Sequence, residues 1–195
     1  MTMTRYSVFF LSLIGVVTLA QGCAPVVVAA GAGTAVVAAH DRRTVGVFVD
    51  DNAIELKIGS AFYEDADMRQ NTHINVTSMN GIVLLSGEAT TPALRDSALA
   101  QARAVAGVRR IVNEIRIAAP SSIGDRSYDT WITTKVKSKL IETEHLDSTR
   151  VKVITENDAV FLLGMVTHKE AELATGAATT VSGVTRVVKL FEYLD

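Results

Sequence analysis

The 195-residue chain has a single cysteine, so no internal disulfide can brace it. It has four histidines, His40, His73, His145 and His168, and none has a second histidine or a cysteine at ligand spacing. That argues against a structural or catalytic metal. Serines and acids are plentiful, but no nucleophile elbow is present, and no glycine-rich loop leads from a strand into a helix. These absences point away from an enzyme and from any cofactor. The formal net charge is −2, too balanced for a broad nucleic-acid-binding surface. The apolar run from Val8 to Ala20 is too short for a comfortable membrane span. Only one tryptophan is present, Trp131.

What is there begins with an export signal. "MTMTRYSVFFLSLIGVVTLAQGC" has a cationic start at Arg5, an apolar run, and small residues before Cys23. A lone cysteine in an exported protein is expected to pair between molecules or to be modified. "LAQGC" resembles a bacterial lipobox. The resemblance implies that residues 1–22 are removed, that Cys23 receives a lipid anchor, and that Ala24, in place of Asp, permits sorting to the outer membrane. The other reading is an ordinary signal peptide that leaves Cys23 as a free thiol. Residues 23–45, rich in Ala, Val and Gly, read as a tether.

The rest of the chain is a duplication. "MNGIVLLSGEATTPALRDSALAQARAVAGVRRIVNEIRI" matches "ENDAVFLLGMVTHKEAELATGAATTVSGVTRVVKLFEYL". Gly87 falls on Gly164, Gly107 on Gly183, and Ile54, Ile58 and Phe62 on Ile132, Val136 and Leu140. The units span 46–118 and 128–195, with 119–127 as linker.

Each unit predicts the order αββαβ. A first helix shows apolar residues at i, i+4 and i+8. A hairpin follows, marked by Asn80-Gly81 in unit one and by the weaker Asn157-Asp158 in unit two. A second helix starts at Thr91-Pro92 in unit one and at the capping box Thr167/Glu170 in unit two. Gly107 and Gly183 suit the left-handed position beyond the helix end. Gly87 and Gly164 are expected where the chain turns toward the capped helix. A final strand closes each unit. The fold class is α+β, with a three-stranded mixed sheet per unit and both helices on one face.

The αββαβ order, Gly87 and Gly164, and the tails "AGVRRIVNEI" and "SGVTRVVKLF" resemble BON domains. Two such units behind a lipobox, with "DRRTVGVFVDD" and "DTWITTKVKSKL", resemble the dual-BON outer-membrane lipoproteins. The resemblance implies a non-enzymatic, periplasm-facing protein that supports outer-membrane integrity. It also implies enrichment at the division site and binding of anionic phospholipid, notably phosphatidylglycerol, through unit two. The rival reading is a scaffold for an envelope protein, such as the machinery that assembles outer-membrane β-barrels. "RR" at Arg42-Arg43 reads as a solvated linker.

"YDTWITTKVKSKLIETEHL", residues 128–146, reads as the first helix of unit two. At about 100° per residue, Ile132, Val136 and Leu140 share the core face, and Trp131 points roughly 140° away. Thr134, Ser138 and Ile141 share its side; Lys135 and Lys137 flank it, and Lys139 lies nearer the core edge. A tryptophan among lysines suits a water–hydrocarbon interface with anionic headgroups. Leu146 either dips into the bilayer or closes the core. The competing reading puts Trp131 in a seam between the units.

Overall fold

The computed structural model describes residues 42–195. The signal segment, Cys23 and most of the tether lie outside the described residues. Unit one comprises α1 (Val45–Glu64), α2 (Ala66–Asn71), β1 (Thr72–Met79), β2 (Ile82–Ala89), α3 (Pro92–Ala104) and β3 (Arg110–Ile117). Unit two comprises α4 (Ile123–Glu142), a 3-10 turn (Ser148–Arg150), β4 (Lys152–Glu156), β5 (Ala159–Val166), α5 (His168–Thr179) and β6 (Arg186–Tyr193). Each forms the expected three-stranded mixed sheet: β2 pairs antiparallel with β1 and parallel with β3, and β5 repeats this with β4 and β6. Unit one adds the short α2, capped by the Asp65 carboxylate.

The caps explain where helices begin. Thr44 accepts from Val47 N before α1, and Thr91 from Leu94 N before α3. Thr167 and Glu170 form the box before α5. The first helix of unit two starts earlier than the apolar spacing indicated, at Ile123 rather than Tyr128, because Ser122 and Asp125 form a capping box. It also stops earlier, at Glu142, and His145 takes φ +64°.

Both hairpin turns have positive φ at their two central residues: 51° and 71° at Asn80 and Gly81, 50° and 61° at Asn157 and Asp158. The second turn lacks glycine, but a carboxylate holds it. Asp129, buried on α4, accepts from Asn157 N at 2.8 Å and Asp158 N at 2.9 Å. Asp51 does the same in unit one, accepting from Asn80 N at 2.7 Å and Gly81 N at 2.9 Å. Each first helix thus ties down its own hairpin three residues before its first core isoleucine.

Gly107 and Gly183 take φ +93° and +99°, in the turns after the helices. Gly87 and Gly164 differ from expectation: they lie inside β2 and β5, not at the exit toward the helix. A Cβ at Gly87 would meet His73 O at 2.0 Å, and one at Gly164 would meet Arg150 O at 2.3 Å. Close backbone approach from the neighbouring segment requires glycine there.

Three apolar clusters organise the packing. One joins α1 and α3 to the sheet of unit one, through Ile54, Ile58, Phe62, Val83, Leu85 and Ala102. A second joins α4 and α5 to the sheet of unit two, through Ile132, Val136, Leu140, Val160, Leu162 and Ala174. The third joins the two sheets: Met79 and Leu84 of unit one meet Ala159, Phe161, Leu163 and Leu190 of unit two. Residues of β2 and β5 alternate between their helices and this seam, so both central strands are buried on both faces. Burying Leu84, Phe161, Leu163 and Leu190 contributes on the order of 6–12 kcal/mol before entropic costs. Around the seam run Asn75–Glu156, Asn80–Glu192 and Asn157–Glu88 hydrogen bonds, each 2.6 Å, and an Arg186–Glu114 ion pair at 2.8 Å.

Candidate functional site

The seam lies between the sheets, so α4 keeps its outer face toward solvent. Trp131 is 51% exposed, Ile141 72% and Ile123 78%. Ile123 and Ile141 stand at the two ends of the same outer face as Trp131, about 80° round the helix from it and roughly 27 Å apart at 1.5 Å per residue. Thr134 and Ser138 lie between, both exposed. Thr134 returns its hydroxyl to the Thr130 carbonyl at 3.0 Å, and Thr130 does the same to Arg126 at 2.9 Å. These bonds within the helix leave a low surface around the indole.

Trp131 is not an isolated ring. Tyr128, one turn before it, packs against it with ring centroids 5.4 Å apart and planes tilted by 32°. The Lys135 ammonium lies 3.4 Å from the indole centroid and donates to the Ser182 carbonyl. The cation–π contact holds the ring upright against its own helix. Lys137 is exposed on the flank, and Lys139 pairs loosely with Glu142 at 3.3 Å. Leu146 is half-buried and packs against the core of unit two. Of the two roles open to it, the structure gives it the second.

The helix-wheel reading missed Ile123 and Tyr128. Ile123 was legible from the Ser122/Asp125 box, which moves the helix start back. Tyr128 lies at the shoulder of the outer face, and its hydroxyl sits over Gly183, where a Cβ would approach it to 2.7 Å. Arg42 and Arg43 are also misread as solvated linker. Arg43 pairs with buried Asp51 at 2.6 Å, its own side chain 6% exposed. Arg42 makes a fork to Glu170, at 2.8 and 3.1 Å, which Arg150 shares at 2.8 Å. Burial pushes the Glu170 carboxyl up, but the Thr167 N–H, Arg42 and Arg150 outweigh it and bring it down to about 2.

Among the described residues, no group of three or more metal-ligating side chains comes together, and no helix is long and apolar enough to cross a membrane.

The BON-domain family model matches residues 50–119 and again 128–195. The chain belongs to the BON-domain family. This dual-BON protein is 41% identical over 183 residues to the outer membrane lipoprotein DolP of Haemophilus influenzae, covering 94% of each chain. It is 40% identical over 155 residues to a 21 kDa hemolysin of Actinobacillus pleuropneumoniae, covering 80% of each. It is 32% identical over 146 residues to the osmotically-inducible protein Y of Escherichia coli, covering 73% of this chain and 72% of that one. The dual-BON protein is therefore of the DolP type, and the relationship supports an outer-membrane lipoprotein built on two BON domains.

Proposed function

We propose that the dual-BON protein docks on anionic phospholipid, phosphatidylglycerol in particular, through the outer face of α4, while a lipid on Cys23 anchors it. The observation that carries this reading is the placement of Trp131: half-exposed, on the outer face whose two ends carry Ile123 and Ile141, a face the inter-sheet seam does not use. The docking residues are Trp131, Thr134, Lys135, Lys137, Ser138, Lys139 and Ile141, with Ile123 and Tyr128 added. Leu146 stays with the core. The indole ring is apolar while its N–H stays wet, which favours the headgroup boundary. Three lysines and the tryptophan supply roughly 3–5 kcal/mol toward an anionic surface. That contact is weak alone, and the lipid anchor makes the second of the two signals that stable attachment takes.

On this reading the protein binds and does not catalyse. It acts from the periplasmic face, and support of envelope integrity and enrichment at the division site follow from the family resemblance. A scaffold for the β-barrel assembly machinery would be indifferent to lipid headgroup.

The test is Trp131 emission in the Asp41–Asp195 unit with vesicles that contain or lack phosphatidylglycerol. The expected result is a blue shift with anionic vesicles only, weakened by salt as the lysine contacts are screened, and a Trp131→Glu protein that no longer co-sediments with those vesicles. A shift that ignores headgroup and salt, or none at all, overturns the proposal.

A further inference from the structure

The internal repeat places the same backbone groove in both units, and only unit two fills it. In unit two the groove lies between α4 and the turn before β6. The Tyr128 hydroxyl sits over Gly183, Trp131 packs on Tyr128, and Lys135 reaches across to the Ser182 carbonyl. The matching positions in unit one are Asp50, Ala53, Lys57, Ala106 and Gly107. Gly107 keeps the same positive φ, but above it a Cβ would meet only the Ile54 side chain. With alanine for tryptophan and aspartate for tyrosine, an open groove of about 410 Å³ remains, lined by Val47, Ala53, Ile54, Gly107 and Arg109. That volume falls in the range of small-ligand sites.

We propose that this groove of unit one receives a tyrosine or tryptophan side chain presented by a partner protein, with a basic residue beside it. The filled copy in unit two shows which chemistry the scaffold packs there: a phenol whose hydroxyl lies over the glycine turn, with an indole packed against it. An aromatic ring belongs to a protein partner, not to a phospholipid, and the groove has a charge to place beside it. Asp51 is paired with Arg43 and Glu55 with Lys152, but exposed Asp50 at the groove edge meets a basic neighbour of the incoming ring. Val45, Val49 and Leu56 are all more than half exposed on α1 and extend the contact beyond the ring itself. Rings with a polar handle are enriched at protein interfaces for the same reason.

The experiment uses the full chain in phosphatidylcholine nanodiscs, with acetyl-Lys-Tyr-amide as probe, acetyl-Lys-Leu-amide as control and empty nanodiscs as blank. Saturation-transfer NMR is expected to show transfer to the tyrosine ring protons, with the leucine peptide weaker. Ala53→Trp, which copies unit two, is expected to cut the transfer at least fivefold while melting as the parent does. Ala106→Phe closes the groove from the other wall and is expected to act alike, so a folding defect in one variant does not decide the matter. Transfer that is absent, or unchanged in both variants, overturns the proposal. So does quenching by brominated phosphatidylglycerol of a tryptophan placed at 53 in a Trp131→Phe background, which would put the groove against lipid.

Discussion

The Lys135 ammonium lies 3.4 Å from the centroid of the Trp131 ring, which makes this lysine both a support for the indole and a charge for the docking face. The two roles separate on mutation. Lys135→Gln is expected to lose about 0.5–1 kcal/mol of stability with the cation–π contact. It should also weaken binding to anionic vesicles about fivefold, as one charge near the surface is removed. Lys137→Gln, on the exposed flank, should show the affinity loss with almost no change in melting temperature. Equal thermal effects from the two would mean that Lys135 does not brace the ring.

Asp51 and Asp129 occupy one place in the repeat but carry different loads. Asp129 accepts from two turn N–H groups. Asp51 accepts from two as well, and also from Ser78 Oγ and the Arg43 guanidinium, both at 2.6 Å. Asp129→Ala is expected to cost about 1–3 kcal/mol, as buried donors lose their acceptor. Asp51→Ala should cost about 3–5 kcal/mol, because it also takes the carboxylate from a buried arginine. Burial raises the Asp51 carboxyl, but Gly81, Ser78, Asn80 and Arg43 together hold it below its usual value. Its contribution is therefore present above about pH 3.8 and lost as pH falls through the depressed value. Urea titrations of the parent and the two variants at pH 7 and at a pH well below 3.8 check both the order and the sign.

The pair also shows how far the sequence could be read. Local signals carried the repeat, the element order, both Asn-X turns and the Thr91 and Thr167 caps. The core faces of the first helices, from Ile54 to Phe62 and from Ile132 to Leu140, followed from spacing alone. What the spacing did not reveal depends on contacts distant in sequence. The Arg42–Glu170 fork joins residues 128 positions apart. The inter-sheet seam was hidden because IVLL and FLL are apolar on both faces, and periodicity cannot say what covers the second. The position of Trp131 on α4 and the flanking place of Lys135 were legible, but not that the Lys135 ammonium folds over the ring.

Gly87 and Gly164 were expected to serve a turn; they sit where a neighbouring carbonyl leaves no room. Gly87→Ala would press a Cβ to 2.0 Å from His73 O, at a residue with φ +111°. Gly164→Ala would press one to 2.3 Å from Arg150 O, without the unfavourable φ. Backbone atoms on both sides cannot yield by a rotamer change, so each substitution should cost on the order of 3 kcal/mol or more. Gly87 should be the worse, because strain adds to the clash. By contrast Gly59, whose Cβ would meet nothing within 4 Å, lies in the exposed middle of α1. Gly59→Ala should stabilise by roughly 0.5–1 kcal/mol. Thermal melts of the three variants test the ranking, and a Gly87→Ala protein as stable as the parent would refute it.

Glu156 places a titration at the seam between the domains. The residue is 5% exposed and accepts from the Asn75 amide at 2.6 Å across the interface. Burial pushes its carboxyl up to about 7. The Asn75 bond opposes that, and the nearby Glu88 and Asp129 carboxylates add to it. At Glu156 the folded protein therefore keeps a proton that the unfolded chain has given up between pH 4.5 and 7. The favourable part of this linkage is complete below pH 4.5 and is lost as pH rises through 7, where an anion must be kept beside two others. Glu156→Gln keeps the acceptor for Asn75 and removes the charge. At pH 8 it is expected to raise the melting temperature by roughly 2–8 °C, the change that about 1–2 kcal/mol produces in a protein of this size. At pH 4.5 the variant and the parent should melt together. A variant that melts lower than the parent at pH 8 would mean that the ionised carboxylate is well accommodated, and that the seam does not weaken toward alkaline pH.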